Sequence, residues 1–158
     1  MGYLSGSRFN LVVSLRYAPE PGETAFLCDL FGKASQILSD ATDGALSIGR
    51  VDIATEGRGG ADADLWIHPA DTVWPNSTGA RIWFPGESMD FAQDYLMYPT
   101  VLVHELGHYL FGLRDEYASS GAACVGRISQ QASIMEKYGW GLQSRWIDGF
   151  GDGFTGWS

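Results

Sequence analysis

The chain has 158 residues, of which 45% are apolar and 13% aromatic, and its 10 basic and 19 acidic side chains give a net charge of −9. This length can bury one sizeable core, so we expect a single globular domain over residues 1–158. The negative charge argues against nucleic acid as a partner, and no apolar run approaches the roughly 20 residues that span a bilayer, so we expect no membrane insertion.

Strand and helix patterns follow one another along the first two thirds of the chain. Short β-branched or aromatic runs bounded by Gly and Pro predict strands, and apolar residues at helical spacing predict a long amphipathic helix that packs on the sheet. In chain order these are a strand at 10–17, the helix at 24–42, a strand at 46–53, a strand at 65–68 and an aromatic edge strand at 81–84. Gly49 and Arg50 interrupt the second strand and predict a bulge there. This order predicts an α/β sandwich with a mixed sheet.

A second helix is predicted over residues 99–111. Pro99 suits the first helical position, and Leu102, Leu106 and Leu110 recur as an apolar stripe that would be buried. The motif helix is therefore expected to be central in the fold. Gly112 follows it directly, where a glycine lets the backbone leave a helix in a left-handed conformation.

This helix carries the motif H-E-x-x-H, starting at His104. Residues four apart lie on one helical face, so His104 and His108 can present two imidazoles to a single metal ion. Glu105, one position further round, can reach a metal-bound water and act as general base, although a surface or supporting carboxylate is the alternative. The pattern indicates a zinc hydrolase.

Catalytic zinc usually takes three protein ligands and leaves a position for water. Two ligands come from the motif, and Gly112 favours a third donor close by, because it can turn the chain back toward the metal. Asp115 and Glu116 follow immediately. Glu136 and His68 remain alternatives, although a histidine before a proline on a strand is more often packed in the core or a loop.

The string H-E-x-x-H-x-x-x-G-x-x-D-E, with a downstream Ser-Ile-Met, resembles the metzincin-like domain at the amino terminus of the CLCA proteins and is similar to the bacterial IgA peptidases of the M64 type. The resemblance implies a zincin fold: a mixed, twisted sheet with a backing helix, a central active-site helix and an irregular C-terminal part. It also implies one catalytic Zn²⁺ held by His104, His108 and Asp115. The usual metzincin pattern has one residue fewer before the glycine and a histidine in place of the aspartate.

The same resemblance implies supporting roles farther along the chain. A methionine turn at about 132–136 would place Met135 beneath the metal, although Met135 alone would be ordinary core filling. Tyr138 is similar to a tyrosine that approaches the metal in astacin-like members, but it lies one residue later. Glu116 would accept a hydrogen bond from a ligand imidazole or pair with an arginine. The strand that holds the substrate in this family corresponds to Ile82, Trp83 and Phe84.

The expected function is that of a zinc-dependent endopeptidase acting as a monomer on a protein or peptide. The alternative is a zinc-binding module that regulates or cleaves its own CLCA-like parent protein, and a third hypothesis is an inactive metal-bound binding protein, which the intact Glu105 disfavours. The family implies a secreted or extracellular parent, although the first residues lack the pattern of a signal peptide.

Two further features leave questions open. Cys28 and Cys124 are too few to establish an oxidising compartment, and either a disulfide or two free thiols would fit. The glycine-rich tail from Asp148 resembles a calcium-binding turn only superficially, so Ca²⁺ is unsupported as a second cofactor.

Overall fold

The computed structural model describes residues 2–70, 80–81, 88–93 and 98–113. In this part of the chain, two helices pack together against one face of a mixed sheet, which confirms the predicted α/β class. The elements in chain order are β1 (Tyr3–Ser5), β2 (Arg8–Leu15), α1 (Glu23–Ala41), β3 (Ser47–Ala54), β4 (Leu65–His68), β5 (Ala80–Arg81), β6 (Met89–Ala92) and α2 (Pro99–Phe111).

Strand β2 has neighbours along both of its edges. Parallel β3 follows one edge for nearly its whole length. The other edge is shared, because antiparallel β1 pairs with residues 8–10 and parallel β4 pairs with residues 13–15. β6 then pairs in parallel with β4, and β5 pairs antiparallel with β6. A short gap therefore separates β1 from β4 along β2.

The predicted bulge is present in β3. Just after Ile48, the ladder advances two residues along β2 for three along β3. The Asn10 side chain fills the irregularity, since its Oδ1 accepts a hydrogen bond from the Arg50 amide at 2.8 Å. A Cβ on Gly49 would lie 2.8 Å from the same oxygen, so a side chain at this position would displace Asn10 from the bulge.

Helix α1 lies within one residue of the predicted range and packs on β3 and α2. Its buried side chains recur at the spacing of one helical face, as an amphipathic helix on a sheet requires. They are Leu27, Leu30, Phe31, Ala34, Ile37, Leu38 and Ala41.

The core lies between the sheet and the two helices. Alternate residues of β2, β4 and β6 enter it, in keeping with the two-residue period of a strand. Leu102 and Leu106 of α2 are fully buried within it, and Leu110 packs at its margin. The predicted apolar stripe and central position of the motif helix are thus confirmed.

Strand boundaries differ more from the expectation than helix boundaries do. β2 begins two residues earlier than predicted because Arg8 and Phe9 pair with β1. It also ends two residues earlier, and Tyr17 beyond its end bonds Glu23 at the start of α1. β1 and β6 were not predicted. Of the expected edge strand at 81–84, the structure shows β5 at Ala80–Arg81, and residues 82–84 lie outside the described residues.

Candidate metal centre

The ends of α2 are fixed by the two residues expected to fix them. Pro99 occupies the first turn, after an extended Tyr98. Gly112 ends the helix with φ 63° and ψ 26°, in the left-handed region. Its amide bonds the His108 carbonyl at 3.0 Å, and the Leu113 amide bonds the Gly107 carbonyl at 3.3 Å. The chain therefore folds back over the last turn of the motif helix.

The two histidines of the motif face each other. Their Nε2 atoms are 3.2 Å apart, and their rings stand edge to face with centroids 4.8 Å apart. Two zinc–nitrogen bonds of 2.0–2.1 Å at a tetrahedral angle would separate the two nitrogens by about 3.3 Å. The arrangement of His104 and His108 thus fits a shared zinc ion.

A backbone carbonyl fixes the protonation pattern of His108. Its Nδ1 lies 2.6 Å from the Leu113 carbonyl oxygen. A carbonyl only accepts hydrogen bonds, so Nδ1 carries the proton and donates it. In the neutral ring, the lone pair is then on Nε2, which is the atom that faces His104. Metal-ligating histidines are typically held in this way by an outer acceptor.

The contribution of Leu113 was not anticipated from the sequence. Gly112 was expected to turn the chain toward a later ligand, and its left-handed conformation is confirmed. The structure adds that this turn carries the Leu113 carbonyl back to the His108 ring. A side-chain motif gives no sign of such a backbone contact.

Glu105 lies beside His104 on a helix that is otherwise largely apolar. Glu105 is 8% exposed and His104 is 9% exposed. A buried carboxylate is costly unless polar groups surround it. Its burial next to an imidazole therefore marks a polar site inside the fold, and a simple surface position for Glu105 does not fit the structure.

His68, the remaining histidine, faces another direction. Leu65 and Ile67 of β4 belong to the core on the helix side, so alternation places His68 on the opposite face of the sheet. Its Nε2 lies 2.8 Å from Asp90 Oδ1 of β6. His68 is therefore not brought to the motif histidines.

Most of the other predicted site residues lie outside the described part of the chain. Within that part, no three His, Cys, Asp or Glu side chains form a group that could hold a metal. Among the described residues, no third side chain of these types therefore forms such a group with His104 and His108. The predicted positions that lie beyond them are Asp115, Glu116, Met135, Glu136, Tyr138, Ile82, Trp83 and Phe84.

Tyr109, directly after His108, makes a buried bond that the sequence did not suggest. Its hydroxyl donates to Asp64 Oδ1 at 2.6 Å, and Asp64 is only 1% exposed. Burial, reinforced by the hydrogen bond to this carboxylate, raises the pKa of Tyr109 above the usual tyrosine value.

A second tyrosine–carboxylate pair joins the segment after β2 to the start of α1. The Tyr17 hydroxyl donates to Glu23 Oε1 at 2.5 Å, and the Gln93 amide donates to the same oxygen at 2.8 Å. Burial, and after it this bond, raises the pKa of Tyr17. None of the three residues belongs to the motif helix.

The free cysteine of the described region, Cys28, is exposed on α1, whereas Cys124 lies outside it. Neither described helix is long and apolar enough to cross a bilayer. The sequence matches no known family model, and no curated protein matches it. The chemistry of the site therefore rests on its own residues.

Proposed function

We propose that the protein is a zinc-dependent endopeptidase of the metzincin-like class. The main support is the pair of histidine Nε2 atoms at 3.2 Å, with the His108 lone pair directed by the Leu113 carbonyl. A sequence that merely happened to contain H-E-x-x-H on a surface helix would not bury His104 and Glu105 in this way. The resemblance of the extended motif to metzincin-like domains supports the same class.

Zinc would be held by His104 and His108, with Asp115 as the third ligand that the resemblance implies. When bound, zinc lowers the pKa of a coordinated water and polarises the scissile carbonyl. Glu105 would accept a proton from the attacking water and deliver it to the leaving amine. The low exposure of Glu105 would keep bulk water from competing for hydrogen bonds to its carboxylate during this proton transfer.

The remaining parts of the proposal come from the resemblance alone. The fold would be a zincin sandwich, with Met135 in a turn beneath the metal and Tyr138 and Glu116 as supporting groups. The substrate would lie along Ile82, Trp83 and Phe84. The parent protein would be secreted or extracellular, and the domain would act as a monomer.

The test is peptide-library digestion by the purified chain, with zinc, with a chelator, and with zinc restored. The zinc-loaded chain should cleave peptides, the chelator should abolish cleavage, and added zinc should restore it. Glu105→Gln should bind zinc normally and lose about 10²–10⁴-fold in rate, the range of general acid–base catalysis.

Glu56→Gln is the matched control. Glu56 is an exposed carboxylate that pairs with Arg58 at 2.6 Å in a loop, so its substitution should leave the rate unchanged. A zinc-loaded Glu105→Gln chain with full activity would remove the general-base role. A zinc-loaded wild-type chain that cleaves neither the library nor itself would rule out the peptidase proposal.

A further inference from the structure

Asp64 fills the gap between β1 and β4 along the edge of β2. Its Oδ2 accepts a hydrogen bond from the Val12 amide at 2.8 Å, and its Oδ1 accepts one from the Gly2 amide at 2.6 Å. Val12 lies between the stretches of β2 that pair with β1 and with β4. The carboxylate therefore supplies the acceptor that neither neighbouring strand provides.

The backbone of Asp64 is fixed as firmly as its side chain. Its amide donates to the Val12 carbonyl at 2.8 Å, and its carbonyl accepts from the Met89 amide of β6 at 2.7 Å. Strands β2 and β6 thus hold the residue from two sides. A buried carboxylate with this many hydrogen-bond partners is held in one position relative to the sheet.

Tyr109 connects this carboxylate to the motif helix. Its hydroxyl donates to Asp64 Oδ1 at 2.6 Å, and its ring packs on Phe9 of β2 with centroids 6.0 Å apart. Tyr109 is the residue directly after His108. A bond from here to the sheet limits the rotation of α2 about its own axis, and that rotation sets where the two imidazoles point.

Small rotations matter at a metal site. Side chains reach about 5–6 Å from a helix axis, so a rotation of about 10° moves an imidazole nitrogen by about 1 Å. Metal–ligand distances tolerate only about 0.2 Å of deviation. A rotation of a few degrees would therefore weaken a centre whose third ligand comes from a different part of the chain.

We propose that Asp64 and Tyr109 are positioning residues for the His104–His108 metal centre. Their hydrogen bond fixes the rotation of the motif helix relative to the sheet, and with it the direction in which both Nε2 atoms point from the helix. This inference rests on the proposed zinc site. The proposal adds Asp64, a buried carboxylate 45 positions before Tyr109, as a residue that acts on the site through Tyr109.

The test uses cobalt chloride added to the metal-free full-length chain, because the visible absorption of Co²⁺ reports ligand geometry without any need for catalysis. Tyr109→Phe should remain folded by circular dichroism, bind Co²⁺ about 10–100-fold more weakly, and show an altered absorption band. A lost hydrogen bond to a metal ligand costs about 10–100-fold in metal affinity, and we take the same range for a bond that orients the helix carrying both ligands. Asp64→Asn, which keeps one acceptor oxygen, should shift affinity and spectrum in the same direction.

Tyr17→Phe is the matched control. It removes the same kind of tyrosine–carboxylate bond from the β2–α1 connection and leaves α2 untouched. Its Co²⁺ affinity and spectrum should equal those of the wild-type chain.

Two results would overturn the positioning role. One is a folded Tyr109→Phe chain whose cobalt affinity and spectrum match the wild type. The other is failure of both Tyr109→Phe and Asp64→Asn to fold under conditions where Tyr17→Phe folds, since the bond would then hold the whole domain. A wild-type chain that binds neither Co²⁺ nor Zn²⁺ would instead refute the proposed function.

Discussion

Replacing Asp64 with alanine should be among the most destabilising single changes in the described part of the chain. The Val12 amide and the Tyr109 hydroxyl would lose their partner in a region where Asp64 is 1% exposed. Each buried donor left unsatisfied costs about 1–3 kcal/mol. The Gly2 amide is partly exposed and can bond water, so it adds little. We expect a loss of about 2–6 kcal/mol, a large share of the roughly 5–15 kcal/mol typical of a domain.

Urea unfolding followed by circular dichroism measures this loss, and Asp29→Ala is the matched control. Asp29 pairs with Lys33 at 2.7 Å on the surface of α1, with 61% of its side chain exposed. Such pairs contribute about 0.3–0.5 kcal/mol, and alanine is the better helix former. If the two variants differ in unfolding free energy by less than about 1 kcal/mol, the hydrogen bonds of Asp64 do not stabilise the fold as proposed.

Three further predictions use the same unfolding assay. In the described region, Thr100 Oγ1 is buried without a hydrogen-bond partner. Thr100→Val should therefore be neutral or stabilise the fold by up to about 1 kcal/mol. A destabilisation of more than about 1 kcal/mol would contradict this prediction. Tyr17→Phe should be less stable than wild type at pH 8, and the difference in unfolding free energy should shrink as pH rises past about 10. The folded-state pKa of Tyr17 is raised, so the stability that its hydroxyl contributes is complete below the unfolded-state pKa and is lost progressively above it. A constant difference up to pH 11 would refute this. Gly112→Ala should cost about 1–2 kcal/mol of unfolding free energy because the φ of Gly112 is 63°. Gly32→Ala, in α1 with open space for the added Cβ, should instead stabilise the fold by about 0.5–1 kcal/mol. Equal effects of the two substitutions would argue against a left-handed residue at the end of α2.

Helix α2 was predicted to the residue because its signals are local. Pro99 favours the first helical turn, Gly112 favours the end, and the leucines between them recur at helical spacing. The same locality explains α1, whose predicted ends differ by one residue from Glu23–Ala41. Propensity, capping and periodicity all act within a few residues, so the sequence contains them in full.

The short strands depend on distant partners and escaped prediction. β6 contains Asp90 among four residues, and β1 spans only three, so neither shows a clear alternating pattern. Asp64 is the sharpest case. It follows a glycine-rich segment and reads as loop, yet its partners Val12, Tyr109 and Gly2 are 45 to 62 positions away. Nothing local could indicate that they meet.

The candidate site was predictable only where its residues are close together in the sequence. His104, Glu105 and His108 share one helix, so their spacing alone places them together. The Leu113 carbonyl reaches His108 through the backbone turn at Gly112, a contact that residue types do not encode. The predicted third ligand, Asp115, lies outside the described residues, so its role remains a prediction.

The central claim is that one zinc ion is bound between His104 and His108, and metal analysis of the purified chain tests it most directly. We predict one zinc per wild-type chain, and its loss in a His104→Ala/His108→Ala double variant that remains folded. His68→Ala should keep the metal, because that histidine pairs with Asp90 on the opposite face of the sheet. A wild-type chain without zinc after loading, or a double variant that binds as much zinc as the wild type, would contradict the account.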